Sequence, residues 1–361
     1  MTGAAPKRIM IVDDSAVVRR MLMRAIEGEP GLEVDFAAPS GPLALKRLED
    51  GGIDLVLLDV EMPEMDGIET VGRIRERWPR LPVVMCSSLT ERGGMVALRA
   101  LERGATDCIA KPSTAGGLGM QSFRTELIAK LRMLLLPVER SLAPRPGPVV
   151  RRTTLQTKVN VIAIGSSTGG PNALGRIFSA FPGPLPVPVV IVQHMPAVFT
   201  RLLAERITST TGRPAKEGAD GERINAGTTY VAPGGRHMAL VRDGAEVRIR
   251  IHDDPPEQSC RPAVDVLFRS VAEVYKSTAL GCVLTGMGCD GTAGAQRLVE
   301  AGGVVLVQDT ASCVVPSMPN SVERAGLADA VIPLPEIAHE LYRRAIGQRA
   351  LPITMQRTGA R

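Results

Sequence analysis

Two groups of residues in this 361-residue sequence are of a type and spacing that could do chemistry. The first group is acidic. Asp13 and Asp14 directly follow the apolar run 9–12, Asp59 follows 55–58, Ser87 follows 82–86, and Lys111 follows 107–110. Carboxylates gathered in one place repel each other unless a cation lies between them, and an oxygen-only set favours a hard ion such as Mg²⁺. With Lys111 as a fixed positive charge, such a pocket could take a phosphoryl group. Asp59 would be the attacking carboxylate, and Ser87 would donate a hydrogen bond to the phosphoryl oxygens. Singly, each acid would serve equally well as a helix cap or in a solvated turn. Together, at the ends of separate apolar runs, they favour the pocket.

The second group is built around a serine. Gly165-Ser166-Ser167-Thr168-Gly169 satisfies Gly-x-Ser-x-Gly, and Pro171 suits the first turn of a following helix. Backbone N–H groups at a helix start favour negative charge, so the same loop would also suit a phosphate or a dinucleotide. A serine nucleophile needs a base, and the chain holds four histidines. His194 directly follows the apolar run 187–193. His237 and His252 lie in or beside a segment read as an antiparallel insertion, and His339 lies in the last helical stretch; all three are read as structural. Asp290 follows the run 278–285, where it would cap a helix, orient an imidazole, or do both. In this reading Ser167 attacks, His194 moves the proton and Asp290 fixes the ring, while the backbone N–H of Met287, between two glycines, serves an oxyanion. No cofactor is expected at this second site. The order serine, histidine, aspartate differs from that of α/β-hydrolases, where the acid precedes the histidine.

The elements that must position these groups form two βα series. In the first, strand-like runs at 9–12, 33–36, 55–58, 82–86 and 107–110 alternate with helical stretches such as 15–26 and 68–77. This is the pattern of a flavodoxin-like, five-stranded parallel sheet over residues 1–133. Proline-rich residues 134–157 read as a linker. The second series, 158–346, has strand candidates at 160–164, 187–193, 229–232, 237–241, 246–251, 278–285 and 303–307. Its middle three strands are expected to form a small antiparallel insertion in an otherwise doubly wound, mostly parallel sheet. Residues 347–361 read as a tail. In such sheets ligands gather at the carboxyl ends of strands, which is where both groups fall.

Composition narrows the classes further. Apolar residues are 44% and charged residues 22%, with a net charge of +5 spread along the chain. Neither a clustered basic footprint nor a reading helix is evident, so no nucleic-acid partner is expected and a DNA-binding output is disfavoured. No apolar stretch approaches a membrane span, no signal core precedes the first strand, and the six cysteines form no paired framework. A cytoplasmic chain without membrane insertion is the expectation.

The first series resembles the receiver domain of bacterial two-component response regulators, through Val12-Asp13-Asp14-Ser15, Leu58-Asp59-Val60-Glu61-Met62-Pro63, Met65-Asp66-Gly67, Ser87-Ser88 and Lys111-Pro112. The resemblance implies phosphorylation at Asp59, Mg²⁺ on Asp14 and Asp59, and a cis Lys111–Pro112 bond. The second series resembles the chemotaxis protein-glutamate methylesterase/glutamine deamidase family. It does so through Ile164-Gly-Ser-Ser-Thr-Gly-Gly170, Gln193-His-Met-Pro196, Tyr230-Val-Ala-Pro-Gly234, Arg261-Pro-Ala-Val-Asp265-Val-Leu-Phe268 and Thr285-Gly-Met-Gly-Cys-Asp-Gly291. That implies demethylation of glutamate γ-methyl esters on the cytoplasmic helical domain of methyl-accepting chemoreceptors, with release of methanol. It also implies deamidation of receptor glutamines, and a chemotaxis histidine kinase as phosphodonor. Three positions depart from the resemblance: Cys108 stands where receivers usually carry an aromatic switch residue, and Ser166 and Cys289 where relatives often have Ala and Asn. The alternative reading is a response regulator with a non-catalytic nucleotide-binding output. In the hydrolase reading, the unphosphorylated receiver is expected to cover the mouth of the serine site.

Overall fold

The computed structural model describes residues 5–112, 117–135 and 158–347; most of the expected linker and nearly all of the expected tail lie outside the described residues. The first half alternates β1 (Lys7–Val12), α1 (Ala16–Ile26), β2 (Leu32–Ala38), α2 (Gly41–Glu49), β3 (Leu55–Asp59) and α3 (Gly67–Arg77). It continues with β4 (Val83–Ser87), α4 (Glu91–Glu102), β5 (Asp107–Ala110) and α5 (Gly117–Leu135). The strands lie in the order β2-β1-β3-β4-β5, all parallel. β3 and β4 are buried along their whole length, as strands covered on both faces must be. Ser15, Asp66 and Thr90 accept backbone N–H groups at the starts of α1, α3 and α4. These caps end each loop soon after its strand and hold the acidic residues at one rim.

The second half opens with β6 (Val161–Ser166), α6 (Gly170–Ala180), β7 (Val189–Gln193), α7 (Ala197–Thr211), β8 (Ala215–Glu217) and β9 (Thr229–Val231). Then come β10 (His237–Asp243), β11 (Glu246–His252), α8 (Val264–Tyr275), β12 (Ala279–Val283) and α9 (Thr292–Glu300). It closes with β13 (Val304–Gln308), α10 (Ser317–Arg324), β14 (Ala330–Ile332) and α11 (Leu334–Ala345). Seven strands form one sheet in the order β14-β13-β12-β6-β7-β9-β8, every pair parallel.

One expectation is corrected here. Thr229–Val231 belongs to the main sheet, pairing in parallel with β7, and only β10 and β11 form an antiparallel ribbon. The reason is visible in the burial. All of β9 is buried, as a strand inside a layered sheet must be, whereas β10 and β11 have one wet face. The strands β8 and β14 went unread because three residues each are too few to show a period.

The two halves meet where α4 packs on α7. Gly94 permits the close approach, since a Cβ there would lie 2.7 Å from Leu202 Cδ1. Around this contact Arg206 pairs with Glu102 at 2.7 Å and donates to the Leu98 carbonyl at 3.3 Å, and Arg201 pairs with Glu91. Asn172 donates to the Ala105 carbonyl at 3.0 Å. Among the described residues, these hydrogen bonds and ion pairs fall on α6 and α7 rather than on Ser167, His194 or Asp290. The receiver half leans on the flank beside the serine loop. No helix among the described residues is long and apolar enough to cross a membrane.

Candidate active site and phosphoacceptor pocket

At the carboxyl rim of the first sheet, Lys111 Nζ lies 2.7 Å from both Asp13 Oδ2 and Asp59 Oδ1. Asp13 Oδ1 accepts the Ser15 N–H at 2.9 Å, and Asp59 Oδ1 accepts its neighbour Val60 N–H at 2.7 Å. Asp14 is exposed beside them, and oxygens from Asp13, Asp14 and Asp59 all lie within 4.8 Å of one another. An all-oxygen set of that span suits a hard cation such as Mg²⁺. Burial pushes the Asp59 carboxyl above the usual carboxylate range; Lys111 and Val60 oppose this, and the charge on Asp13 adds to it. Burial works against the Lys111 ammonium too, but its bonds to the two carboxylates outweigh that and hold its pKa raised. Among the described residues Ser87 Oγ donates only to the Ser88 carbonyl, at 3.2 Å, so its hydroxyl can turn to another acceptor. The Lys111–Pro112 bond is trans, contrary to the expectation; the cis bond among the described residues is Arg261–Pro262. Cys108 is buried in β5, and burial raises its thiol pKa.

The second site lies at the rim of the other sheet. Ser166 and Gln193 are register partners at the ends of β6 and β7, so Ser167 and His194 leave the sheet side by side. β12 flanks β6 on its other side, and the loop after it carries Asp290. His194 Nε2 lies 2.8 Å from Asp290 Oδ2. That carboxylate also accepts the Val264 N–H at 2.7 Å and the Asp265 N–H at 2.9 Å, so the start of α8 holds it from behind. Burial acts to raise the Asp290 pKa, but the imidazole and the two N–H groups prevail and lower it. For His194 burial disfavours the charged ring, yet Asp290 and then Cys260 push its pKa up to about 9.

The structure thus brings Asp290 onto His194 and sets Ser167 next to it on the adjoining strand end. Among the described residues the Ser167 hydroxyl makes no hydrogen bond, and the other ring nitrogen, Nδ1, faces Cys260 Sγ at 3.6 Å. The Gly286 N–H is committed to the Val315 carbonyl at 2.9 Å, whereas the Met287 N–H has no hydrogen-bond partner among the described residues. His237 is fully buried, held between the Ala263 N–H and the Pro255 carbonyl at 3.2 Å each, with burial lowering its pKa. It is paired with His252 across the ribbon, and His339 is exposed on α11.

Several residues that sequence reasoning passed over help build this site. Ser166 Oγ donates to Gln193 Oε1 at 2.7 Å, and Gln193 Nε2 donates to the carbonyls of Ser167 at 2.9 Å and His194 at 3.3 Å. The serine at 166 therefore orients an amide that clips the two loops together. A Cβ at Gly170 would lie 2.0 Å from that amide oxygen, and one at Gly165 would lie 2.4 Å from Val264 Cγ1. The loop's glycines are thus used up by internal packing, which leaves little of the open backbone that a phosphate loop needs. Asp265 Oδ1 accepts the Gly291 N–H at 3.0 Å and the Gly294 N–H at 2.6 Å, tying α8 to the start of α9. Burial, with the nearby charge of Asp290, pushes its carboxyl to about 6 against those bonds. Nothing in the spacing marks Asp265 or Cys260, because both act through contacts across the fold.

Comparison with known proteins agrees with this architecture. Residues 162–341 match the CheB methylesterase family model, and residues 9–119 match the response regulator receiver domain. A protein-glutamate methylesterase/protein-glutamine glutaminase of Trichodesmium erythraeum is 47% identical over 346 residues, covering 93% of this chain and 98% of the relative. Its counterpart in Paramagnetospirillum magneticum is 44% identical, covering 94% and 96%. The crystal structure of the Thermotoga maritima CheB methylesterase catalytic domain superposes with a TM-score of 0.50 at 41% identity, over 52% of this chain and 99% of that one. The chain therefore belongs to the protein-glutamate methylesterase/protein-glutamine glutaminase family and carries a response regulator receiver domain in its first half.

Proposed function

We propose that this chain hydrolyses glutamate γ-methyl esters on the cytoplasmic helices of chemoreceptors, deamidates receptor glutamines at the same site, and is activated by phosphorylation of Asp59. The observation that carries the reading is the 2.8 Å contact between His194 and the buried, doubly anchored Asp290, beside a serine at the start of a helix. Asp290 accepts Nε2–H, so the nitrogen that takes the serine proton is Nδ1. Ser167 Oγ attacks the ester carbonyl as its proton passes to Nδ1. The N–H of Met287, joined by that of Thr168 just after the nucleophile, receives the developing oxyanion. The imidazolium then protonates the departing methoxide oxygen, releasing methanol, or the departing amide nitrogen, releasing ammonia. Water resolves the acyl-serine by the same route in reverse. Nucleotide binding at the glycine loop is not retained as an alternative.

In the receiver, Asp14 and Asp59 would hold Mg²⁺, with Asp13 beside them. When bound, the ion neutralises charge that develops on a transferring phosphoryl group. Asp59 supplies the attacking oxygen, Lys111 attracts the phosphoryl oxygens, and Ser87 turns from Ser88 to meet them. A chemotaxis histidine kinase is the phosphodonor in this reading. The test is methanol release from methylated chemoreceptor by full-length protein, with and without a small-molecule phosphodonor. Release that persists unchanged in Ser167→Ala would remove the serine from the mechanism.

A further inference from the structure

The geometry points to a binding site for a thiophilic divalent cation of the zinc class, made by His194 Nδ1 and Cys260 Sγ inside the hydrolase pocket. The consequence for catalysis rests on His194 being the base; the site itself does not. The two donor atoms are 3.6 Å apart. A tetrahedral zinc ion with bonds of roughly 2.05 Å to nitrogen and 2.3 Å to sulfur spans an N···S edge of about 3.6 Å. The pair is already at the separation that such an ion bridges, and imidazole with thiolate is the donor chemistry that it prefers.

The ring is also set up as a ligand. Asp290 sits on Nε2 at 2.8 Å, so that nitrogen carries a proton and Nδ1 is the nitrogen left to face the sulfur. A carboxylate behind a metal-binding imidazole is the usual support for such a ligand, fixing both tautomer and orientation. Asp290 gives this support through its bond to Nε2, and its carboxylate, within 4.8 Å of the other two donors, adds negative charge to the site. Cys260 is held on a tight turn closed by two backbone bonds with Glu257, 3.1 Å and 2.7 Å long. Gln258 and Ser259, between them, both have positive φ. Cys260 and His194 are each partly accessible, so an ion can reach them.

Binding would exchange protons for the metal: the thiol proton and, from a charged ring, the Nδ1 proton leave to solvent, the cation takes the sulfur and Nδ1 lone pairs, and water fills the open positions. With Nδ1 occupied, the Ser167 proton has nowhere to go. The oxygen-only pocket of the receiver cannot imitate this site, because it has no sulfur to offer.

The experiment titrates Co²⁺ into full-length protein in thiol-free buffer and follows the thiolate-to-cobalt charge-transfer band, while Zn²⁺ is tested against methanol release. Wild type is expected to show the band and to lose hydrolysis reversibly, with recovery on adding chelator. Cys260→Ser, with an unchanged melting temperature, should lose the band and need about tenfold more Zn²⁺ or above for half-inhibition. Asp290→Asn should keep the band but weaken cobalt binding about 10–100-fold. A wild type without the band, or a Cys260→Ser protein that keeps both the band and the wild-type sensitivity, overturns the site. A band that depends on Cys260, in a wild type whose hydrolysis Zn²⁺ leaves untouched, upholds the site and instead strikes the assignment of His194 as base.

Discussion

Asp59 and Asp290 are both buried aspartates at the rim of a parallel sheet, and both face a basic side chain, yet their surroundings drive them in opposite directions. Asp59 shares Lys111 with a second carboxylate and has one backbone N–H, and burial leaves its pKa raised. Asp290 has an imidazole and two backbone N–H groups, and its pKa is lowered. The first acid is under-compensated, as suits an oxygen that must bond to phosphorus and whose pocket has room for a cation. The second is fully satisfied, as suits a group that must hold a ring still. The number of donors aimed at a buried carboxylate separates an acid that reacts from an acid that anchors.

The comparison is tested most severely at the serine that the anchored pair serves. Ser167→Ala should lower kcat for methanol release on the order of 10⁶-fold, the loss found when a nucleophile is removed from a working triad. Asp290→Asn should cost on the order of 10⁴-fold, because the amide no longer fixes the tautomer. A mild effect there would mean that the anchor is not one.

The proton on His194 gives the next largest effect. With the ring pushed to about 9 by Asp290 and Cys260, only the minority neutral form can act as base at neutral pH. In chelator-treated protein kcat/KM should climb roughly fiftyfold from pH 7 to 9, and Cys260→Ser should move the midpoint toward acid. Stability runs the other way. A raised pKa contributes stability that is fully present below the ordinary value of 6.5 and is lost as pH rises through about 9. Melting temperatures across that window check the sign, and a flat rate profile would discard His194 as the titrating base.

Asp59→Asn sharpens the other half of the comparison. It should abolish stimulation by a phosphodonor and leave the resting rate within about twofold, since the two rims are separate sites. Collapse of the resting rate would break the division into a reacting and an anchoring acid. The smallest effect is expected at the contact between the halves. Gly94→Leu drives a side chain into Leu202 and should raise the resting rate a few-fold by loosening α4 from α7, measured without phosphodonor. An unchanged rate in a folded protein would show that this flank contact does not restrain the hydrolase.

Much of this was legible in the linear chain because it rests on local rules. The twelve runs that became β1 to β7 and β9 to β13 are long enough, or sit close enough to turn residues, to be read as strands. Asp13, Asp14, Asp59, Lys111, Ser167, His194 and Asp290 stand at or soon after strand ends, where a parallel sheet gathers its ligands. The strands at 215–217 and 330–332 were not legible, and neither was the membership of 229–231, because pairing depends on what covers each face.

What the sequence determined by itself was therefore the alternation of strand and helix, and with it the rim to which each reactive group is carried. Only the tertiary structure decided which groups touch. It put Nε2 on Asp290 and Nδ1 on Cys260, placed Ser166 behind Gln193, and set Asp265 under α9. The physical reason is range. Strand and helix follow from neighbours a few positions apart, whereas the charge state and partner of a buried side chain depend on atoms brought close from far along the chain, 96 positions for His194 and Asp290 and 98 for Lys111 and Asp13.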